Sequence, residues 1–189
     1  MSSMPVVEPM TVAEYLALVD DGEYRWAQLV GGELVIDPPK LPHQLICVEI
    51  LHELELWRRA EPERGLVSIP LAVWISEHDV YQPDIVFYRA DRAPAVDGAP
   101  PYLVPDLAVE VRSPSTWRYD IGPKKAAYER AGLPELWLVD AAADEVLIFR
   151  RSRADAAAFD VALELTRDDV LTSPLLPGFG LPVAAIFAR

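Results

Sequence analysis

Two carboxylates and one amine carry the chemistry that this sequence could perform. Asp84 follows Pro83 and opens a β-branched and aromatic run, Ile85, Val86 and Phe87. Proline is tolerated at the first residue of a strand or on an edge, where no ladder donor is required. Glu110 stands inside the stretch 105–112, PDLAVEVR. In a strand Leu107, Val109 and Val111 point to one face, and Asp106, Ala108, Glu110 and Arg112 share the other. A carboxylate flanked by valines is costly to bury unless an arginine, a lysine or a metal compensates it. Lys124 is four residues from both Asp120 and Tyr128, so the three line one helical face. Pro123 is acceptable in the first turn of a helix, which predicts Asp120 as the N-cap. Lys124 then lies near a helix N-terminus, where unpaired amides favour an anion such as phosphate. Two carboxylates can hold a hard cation such as Mg²⁺ or Mn²⁺, and a lysine can face them. Asp84, Glu110 and Lys124 are thus candidate catalytic residues for cleaving a phosphodiester with a bound water. The plainer reading makes Asp84 a turn residue and pairs Glu110 with Arg112 and Asp120 with Lys124 as structural ion pairs.

The elements that must position these groups are legible in the surrounding pattern. Thr11 and Glu14 have capping-box spacing ahead of a short helix that ends at the 20–22 stretch, DDG. Two strand-like runs, 25–30 and 33–37, are joined by Gly31 and Gly32, as a tight hairpin demands. Residues 42–59 predict a long helix, because Ile46, Ile50, Leu54 and Trp57 recur at spacings of four and three, with Cys47 and Leu51 alongside. Runs 66–75 and 81–89 predict a pair of strands, followed by an Ala/Pro-rich loop at 90–101. A strand at 106–112, a helix at 120–131 closed by Gly132, and strands at 135–140 and 145–150 come next. A less regular strand at 159–165 precedes a Pro/Gly-rich tail at 173–182 and a short terminal helix. Hairpins around a strand–helix–strand unit predict an α/β fold, a mixed sheet flanked by helices.

Composition narrows the class. A chain of 189 residues, half hydrophobic and a quarter charged, suits one globular domain over 1–189. The single cysteine, Cys47, cannot form an internal disulfide, and no secretory signal or bilayer-length apolar stretch is present. A cytoplasmic protein without membrane contact is the expectation. His43 and His52 are not spaced with another His or Cys as a zinc pair, so no structural zinc is expected, and His43 reads as a helix cap or a surface residue. The net charge of −13 argues against broad attraction to nucleic acid. Locally the sign reverses: Arg112, Arg118, Lys124, Lys125 and Arg130 face only Asp120 and Glu129 between positions 112 and 130. A polyanion gripped at one place is compatible with that.

In order and spacing, several strings resemble the Uma family, grouped with endonucleases of the restriction-endonuclease-like, PD-(D/E)xK superfamily. They are QLVGGELV at 28–35, QPDIVF at 82–87, PDLAVEVRSPST at 105–116, Asp120 with Lys124 and Tyr128, GLPELWLVD at 132–140 and LLPGF at 175–179. The resemblance implies a restriction-endonuclease-like mixed sheet, a nucleic-acid substrate (DNA by preference) and an Mg²⁺ or Mn²⁺ cofactor. It implies Asp84 and Glu110 as metal ligands with the Val111 carbonyl as a further contact, and the 42–59 helix packed near the site. Arg112 departs from the superfamily pattern, which has lysine two residues after the acid. Arginine is never neutral, so it cannot act as a base, but it can hold a phosphate. Lys124 on the following helix takes the lysine's part, and Lys125, about 100° around that helix, is the competing amine and a candidate for substrate binding. Tyr128 is a donor to the site or simple packing, the latter being plainer. The alternative function is a catalytically inactive member that binds nucleic acid or protein. By analogy with duplex cutters, a homodimer would supply two sites for two cuts.

Overall fold

Thr11 and Glu14 start the first helix as their spacing predicts: the Thr11 amide donates to Glu14 Oε2 at 2.8 Å and the Glu14 amide to Thr11 Oγ1 at 3.4 Å. The structure, a computed structural model, describes residues 8–19, 24, 27–113 and 117–188. The expected helix stop at 20–22, the strand start at 25–26 and motif positions 114–116 lie outside the described residues. Helix α1 spans Val12–Val19, and strands β1 (Ala27–Val30) and β2 (Glu33–Ile36) form the expected antiparallel hairpin. Gly31 and Gly32 make its turn with φ of 58° and 80°, values that side chains disfavour.

Helix α2 covers Leu41–Ala60. Strands β3 (Leu66–Ser68), β4 (Val73–Ser76), β5 (Asp79–Tyr81) and β6 (Ile85–Tyr88) follow. Here the expected single pair, 66–75 with 81–89, is corrected. Each run divides: β3 pairs with β6 in one sheet, and β4 pairs with β5 in another. Pro70 and Pro83 fall at the two break points and offer no ladder donor, so neither run can continue straight through.

Strand β7 is Leu107–Val111. A helical segment then runs through α3 (Trp117–Tyr119), a π turn (Asp120–Lys124) and α4 (Lys125–Arg130), ahead of β8 (Glu135–Asp140), β9 (Glu145–Arg150) and β10 (Val161–Leu165). Strands β11 (Val170–Leu171) and β12 (Leu181–Pro182) pair with each other before the short α5 (Val183–Ile186). The larger sheet has the order β10-β9-β8-β7-β6-β3, and the smaller β2-β1-β5-β4. β7 runs parallel to β8 and antiparallel to β6, so the crossover through α3 and α4 makes the central strand–helix–strand unit. The sheet is therefore mixed and flanked by helices, as the pattern predicts.

The two faces of the large sheet bury different partners. Val109, Val111, Trp137 and Val139 pack against Ile46, Ile50, Leu54 and Trp57 of α2 and against the C-terminal tail. On the opposite face Ala108, Leu136 and Leu138 meet Ala127 and Tyr128 of α4, together with Val73, Ile75 and Tyr81 of the smaller sheet. The alternation along β7 thus sends its valines to α2 and Glu110 towards α4. No helix among the described residues is long and apolar enough to cross a membrane.

Because Leu54 is fully buried between α2 and the sheet, Leu54→Ala leaves a cavity that its neighbours only partly close. The expected cost is about 2–5 kcal/mol, read as a lower urea midpoint with an unchanged m value. A loss below about 0.5 kcal/mol, the scale of an ordinary surface substitution, would contradict this packing.

Candidate active site

Asp84 sits immediately before β6, beyond the last β6–β7 backbone pair, Ile85 with Val109. Its side chain takes the place of the missing ladder partner: the Val111 amide donates to Asp84 Oδ2 at 2.7 Å. The same oxygen lies 3.2 Å from His43 Nε2 on the first turn of α2. This corrects the expectation for His43. It caps nothing, since α2 has Lys40 at its N-cap with no side-chain cap, and its own side chain is only 12% exposed. Burial works to lower the His43 pKa, but the hydrogen bond and charge of Asp84, with the fields of Glu110 and Asp37, raise it above the ordinary value.

Glu110 is buried and meets two groups from the helical segment. Lys124 Nζ lies 2.6 Å from Glu110 Oε1, and the Tyr128 hydroxyl donates to the same oxygen at 2.8 Å. Lys124 Nζ also reaches Asp120 Oδ1 at 3.0 Å and rests over the Tyr81 ring at 5.4 Å. Tyr128 is thus both packing and a donor to the site. Burial pushes the Glu110 carboxyl up to about 8; Lys124 opposes this, while Asp120 and Asp84 add to it. Lys124 keeps its proton to a higher pH than usual, because the two carboxylates more than offset its burial.

The local structure that delivers Lys124 differs from the expected one. Asp120 is not an N-cap. Among the described residues the segment is already helical three residues earlier, at Trp117, whose amide donates to the Ser113 carbonyl at 3.0 Å. Pro123 falls inside, and the chain accommodates it by widening into a π turn in which the Lys125 amide donates to the Asp120 carbonyl. An interior proline cannot donate and crowds the preceding turn, so a widened turn is a low-cost response. Lys124 is therefore not at an anion-attracting helix start. It is 3% exposed, and its charge is shared between two carboxylates.

Asp84, Glu110, Val111, Arg112 and Lys124 all line one cavity of about 330 Å³, which Asp120 and His43 also line. Arg112 does not pair with Glu110. Its Nη1 lies 2.8 Å from both oxygens of Asp140, at the end of the neighbouring β8. Lys125 is not brought to the cavity. The step of about 100° around the helix turns its ammonium over the rings of Phe149 and Phe159, at 4.5 and 5.6 Å. The basic stretch 112–130 is accordingly no continuous cationic surface. Arg112 and Lys124 are paired with acids, while Lys125 and Arg118 lie over aromatic rings. Sequence reasoning passed over Lys40, Gln28 and Gln82 on the cavity wall, and set His43 aside. Only His43 has a usable signal, and it corrects the expectation that no His or Cys stands at ligand spacing from it: Cys47 is four residues on, on the same helical face.

A mixed sheet whose central strands bring together two acids, Asp84 just before β6 and Glu110 within β7, beside a helix-borne lysine has the architecture of the restriction-endonuclease-like class of nuclease folds. The profile of the Uma2 family, described as "putative restriction endonuclease", matches residues 12–184, and the chain belongs to that family. The fold is shared with a crystal structure titled a "putative nuclease belonging to DUF820" from Anabaena variabilis. That structure is 19% identical, with a TM-score of 0.77 over 95% of this chain and 98% of the other. No curated protein matches significantly.

The raised Glu110 carboxyl has a consequence for stability. Folded Glu110 keeps its proton to about pH 8, whereas its ordinary value is 4.5. Between those values the folded state binds the extra proton, so this contribution to stability is present at low pH and lost as pH rises through 8. Between pH 5 and 8.5 the unfolding free energy of the wild type from urea titration should fall more steeply than that of Glu110→Gln, by at most about 1.4 kcal/mol per pH unit. Parallel curves would mean that Glu110 titrates as an ordinary carboxylate.

Proposed function

We propose that the chain is a divalent-metal-dependent phosphodiesterase acting on nucleic acid, with DNA the favoured substrate. The charge count at the cavity carries this reading. Asp84, Glu110 and Asp120 bring three carboxylates together and Lys124 one ammonium. With Arg112 paired to Asp140 and Lys40 balanced by Asp37 on the same wall, two negative charges remain when all these groups are ionised and His43 is neutral. Burial is the main cause of the upward push on Glu110, which Lys124 opposes; Asp120 and Asp84 add to it in the direction that surplus predicts. Oxygen donors with a net charge of −2 suit a hard divalent cation.

In this reading Asp84 and Glu110 hold Mg²⁺ or Mn²⁺, with the Val111 carbonyl as a third ligand. When bound, such an ion supplies Lewis-acid polarisation of a phosphoryl oxygen and a nucleophile at neutral pH. Val111 and His43 fix the orientation of Asp84 through its Oδ2. Tyr128 and Lys124 hold Glu110 through its Oε1, so both carboxylates are aimed before substrate arrives. Lys124 offsets the negative charge that develops on the phosphoryl group, by electrostatics across the buried cluster. Arg112, braced by Asp140, and the exposed Lys40 on the cavity wall are positioned to grip the flanking phosphates. Lys125 drops out of this set because its ammonium is engaged elsewhere. A homodimer would offer two such cavities to a duplex.

The test is cleavage of supercoiled, linear and single-stranded DNA, and of RNA, with and without Mg²⁺ or Mn²⁺. Cleavage should require the ion and be lost in Asp84→Ala; equal cutting by that variant and wild type would sink the assignment. Lys124→Met, checked by circular dichroism because it leaves buried acids unpaired, should slow cleavage about 10²–10³-fold. Ion binding without any cleavage would point instead to the inactive, binding form of the fold.

A further inference from the structure

Behind Asp84, on the side away from Glu110's partners, stand two nitrogen and sulfur donors that the proposed reaction does not use as ligands. His43 and Cys47 are one helical turn apart on α2, with Cys47 Sγ 3.6 Å from His43 Nδ1. His43 Nε2 in turn lies 3.2 Å from Asp84 Oδ2. One donor atom from each of His43, Cys47 and Asp84 can be chosen so that all three lie within 4.8 Å of one another. We propose that His43, Cys47 and Asp84 form a second, softer cation site, which takes a zinc-class divalent ion and shares Asp84 with the hard-ion site. The sharing rests on the function proposed above; the site itself does not.

The chemistry of the donors sets the preference. A thiolate and an imidazole select Zn²⁺ over Mg²⁺, which prefers oxygen ligands and near-octahedral geometry. Metal–sulfur and metal–nitrogen bonds of about 2.3 and 2.0–2.1 Å in a tetrahedral centre place those two donors roughly 3.5 Å apart. The Cys47 Sγ–His43 Nδ1 separation already has that size. An ion takes only that one ring nitrogen, so Asp84 must exchange its contact with Nε2 for the ion. The remaining edges, within 4.8 Å, close by about an ångström of side-chain rotation. The spacing of four residues is the one that sets two ligands on a single helix face. Access comes through the cavity, which His43 and Asp84 both line. On binding, the Cys47 S–H bond breaks as a metal–sulfur bond forms, and the proton leaves to solvent. Three protein ligands leave a fourth position for water. An ion there draws Asp84 away from the hard-ion site, so zinc-class metals would antagonise Mg²⁺ or Mn²⁺ rather than replace them.

The experiment titrates the reduced full chain with Co²⁺, a spectroscopic stand-in for Zn²⁺, and reads the thiolate-to-cobalt charge-transfer band in the near ultraviolet. The expected result is a band that saturates at one ion per chain, vanishes on adding Zn²⁺, persists in Glu110→Gln and is absent in Cys47→Ser. Zn²⁺ affinity by calorimetry should weaken in Cys47→Ser by at least about tenfold, the scale on which even outer partners of a metal site act. Zn²⁺ at saturation should also lower Mn²⁺ binding, followed by electron paramagnetic resonance, in the wild type but not in Cys47→Ser. No cobalt band in the wild type, or equal Zn²⁺ affinity in the two proteins, overturns the site. A band with Mn²⁺ binding untouched by Zn²⁺ overturns the sharing of Asp84. None of these readouts needs cleavage, so a failure of the nuclease reading would leave them interpretable.

Discussion

The structure turns on the burial of Glu110 in the middle of a central strand. A carboxylate there, between two valines, is tolerable only with compensation, and the fold brings that compensation from outside the sheet. Lys124 and Tyr128 both reach Glu110 Oε1 from the helical segment that connects two parallel strands. The right side chains arrive because the crossover packs Ala127 and Tyr128 onto the face of the sheet opposite α2. Packing and charge compensation are therefore the same event. The apolar contacts of α4 set the height at which Lys124 enters, and the ion pair fixes which side of the helix turns inward.

The π turn belongs to this arrangement. Pro123 stands one residue before Lys124, inside a continuous helical segment, and a regular α-helix would have been kinked or broken there. Widening by one residue keeps the segment continuous and leaves Asp120 within 3.0 Å of the Lys124 ammonium. Widened turns of this kind occur often at functional sites, where a side chain must be re-aimed without ending the helix. On the other side of the cavity Asp84 shows a similar economy. Where Pro83 ends the backbone ladder, a carboxylate accepts the Val111 amide that would otherwise lack a partner, and that bond also holds the acid at the mouth of the cavity.

Much of the architecture was legible because short-range rules decided it. The Thr11–Glu14 box, the Gly31–Gly32 turn, the apolar face of α2 and the left-handed Gly132 after α4 each depend on neighbours a few residues away. The alternation along β7 likewise announced that Glu110 would share a face with Ala108. Apart from Asp120, where a local π turn let the helix run through Pro123, errors arose where pairing or partners were distant. Leu66–Ser68 and Val73–Ser76 belong to different sheets, a choice made by strands elsewhere in the chain. Arg112 found Asp140 across the parallel ladder instead of its neighbour Glu110, since residues two apart on a strand point the same way but lie along it, whereas cross-strand partners face each other.

By itself, the sequence determined which residues could be acids, amines and ligands, on which strand face Glu110 stands, and that Lys124 and Tyr128 share a helical face. These follow from periods of two and 3.6 residues, which are local properties of the backbone. Only the tertiary structure decided that Asp84 and Glu110 line one cavity, that Lys124 is buried between two carboxylates, and that His43 and Cys47 stand behind Asp84. Those outcomes depend on how α2 and the crossover helix dock on opposite faces of the sheet. That is a many-body packing result, and no spacing along the chain encodes it.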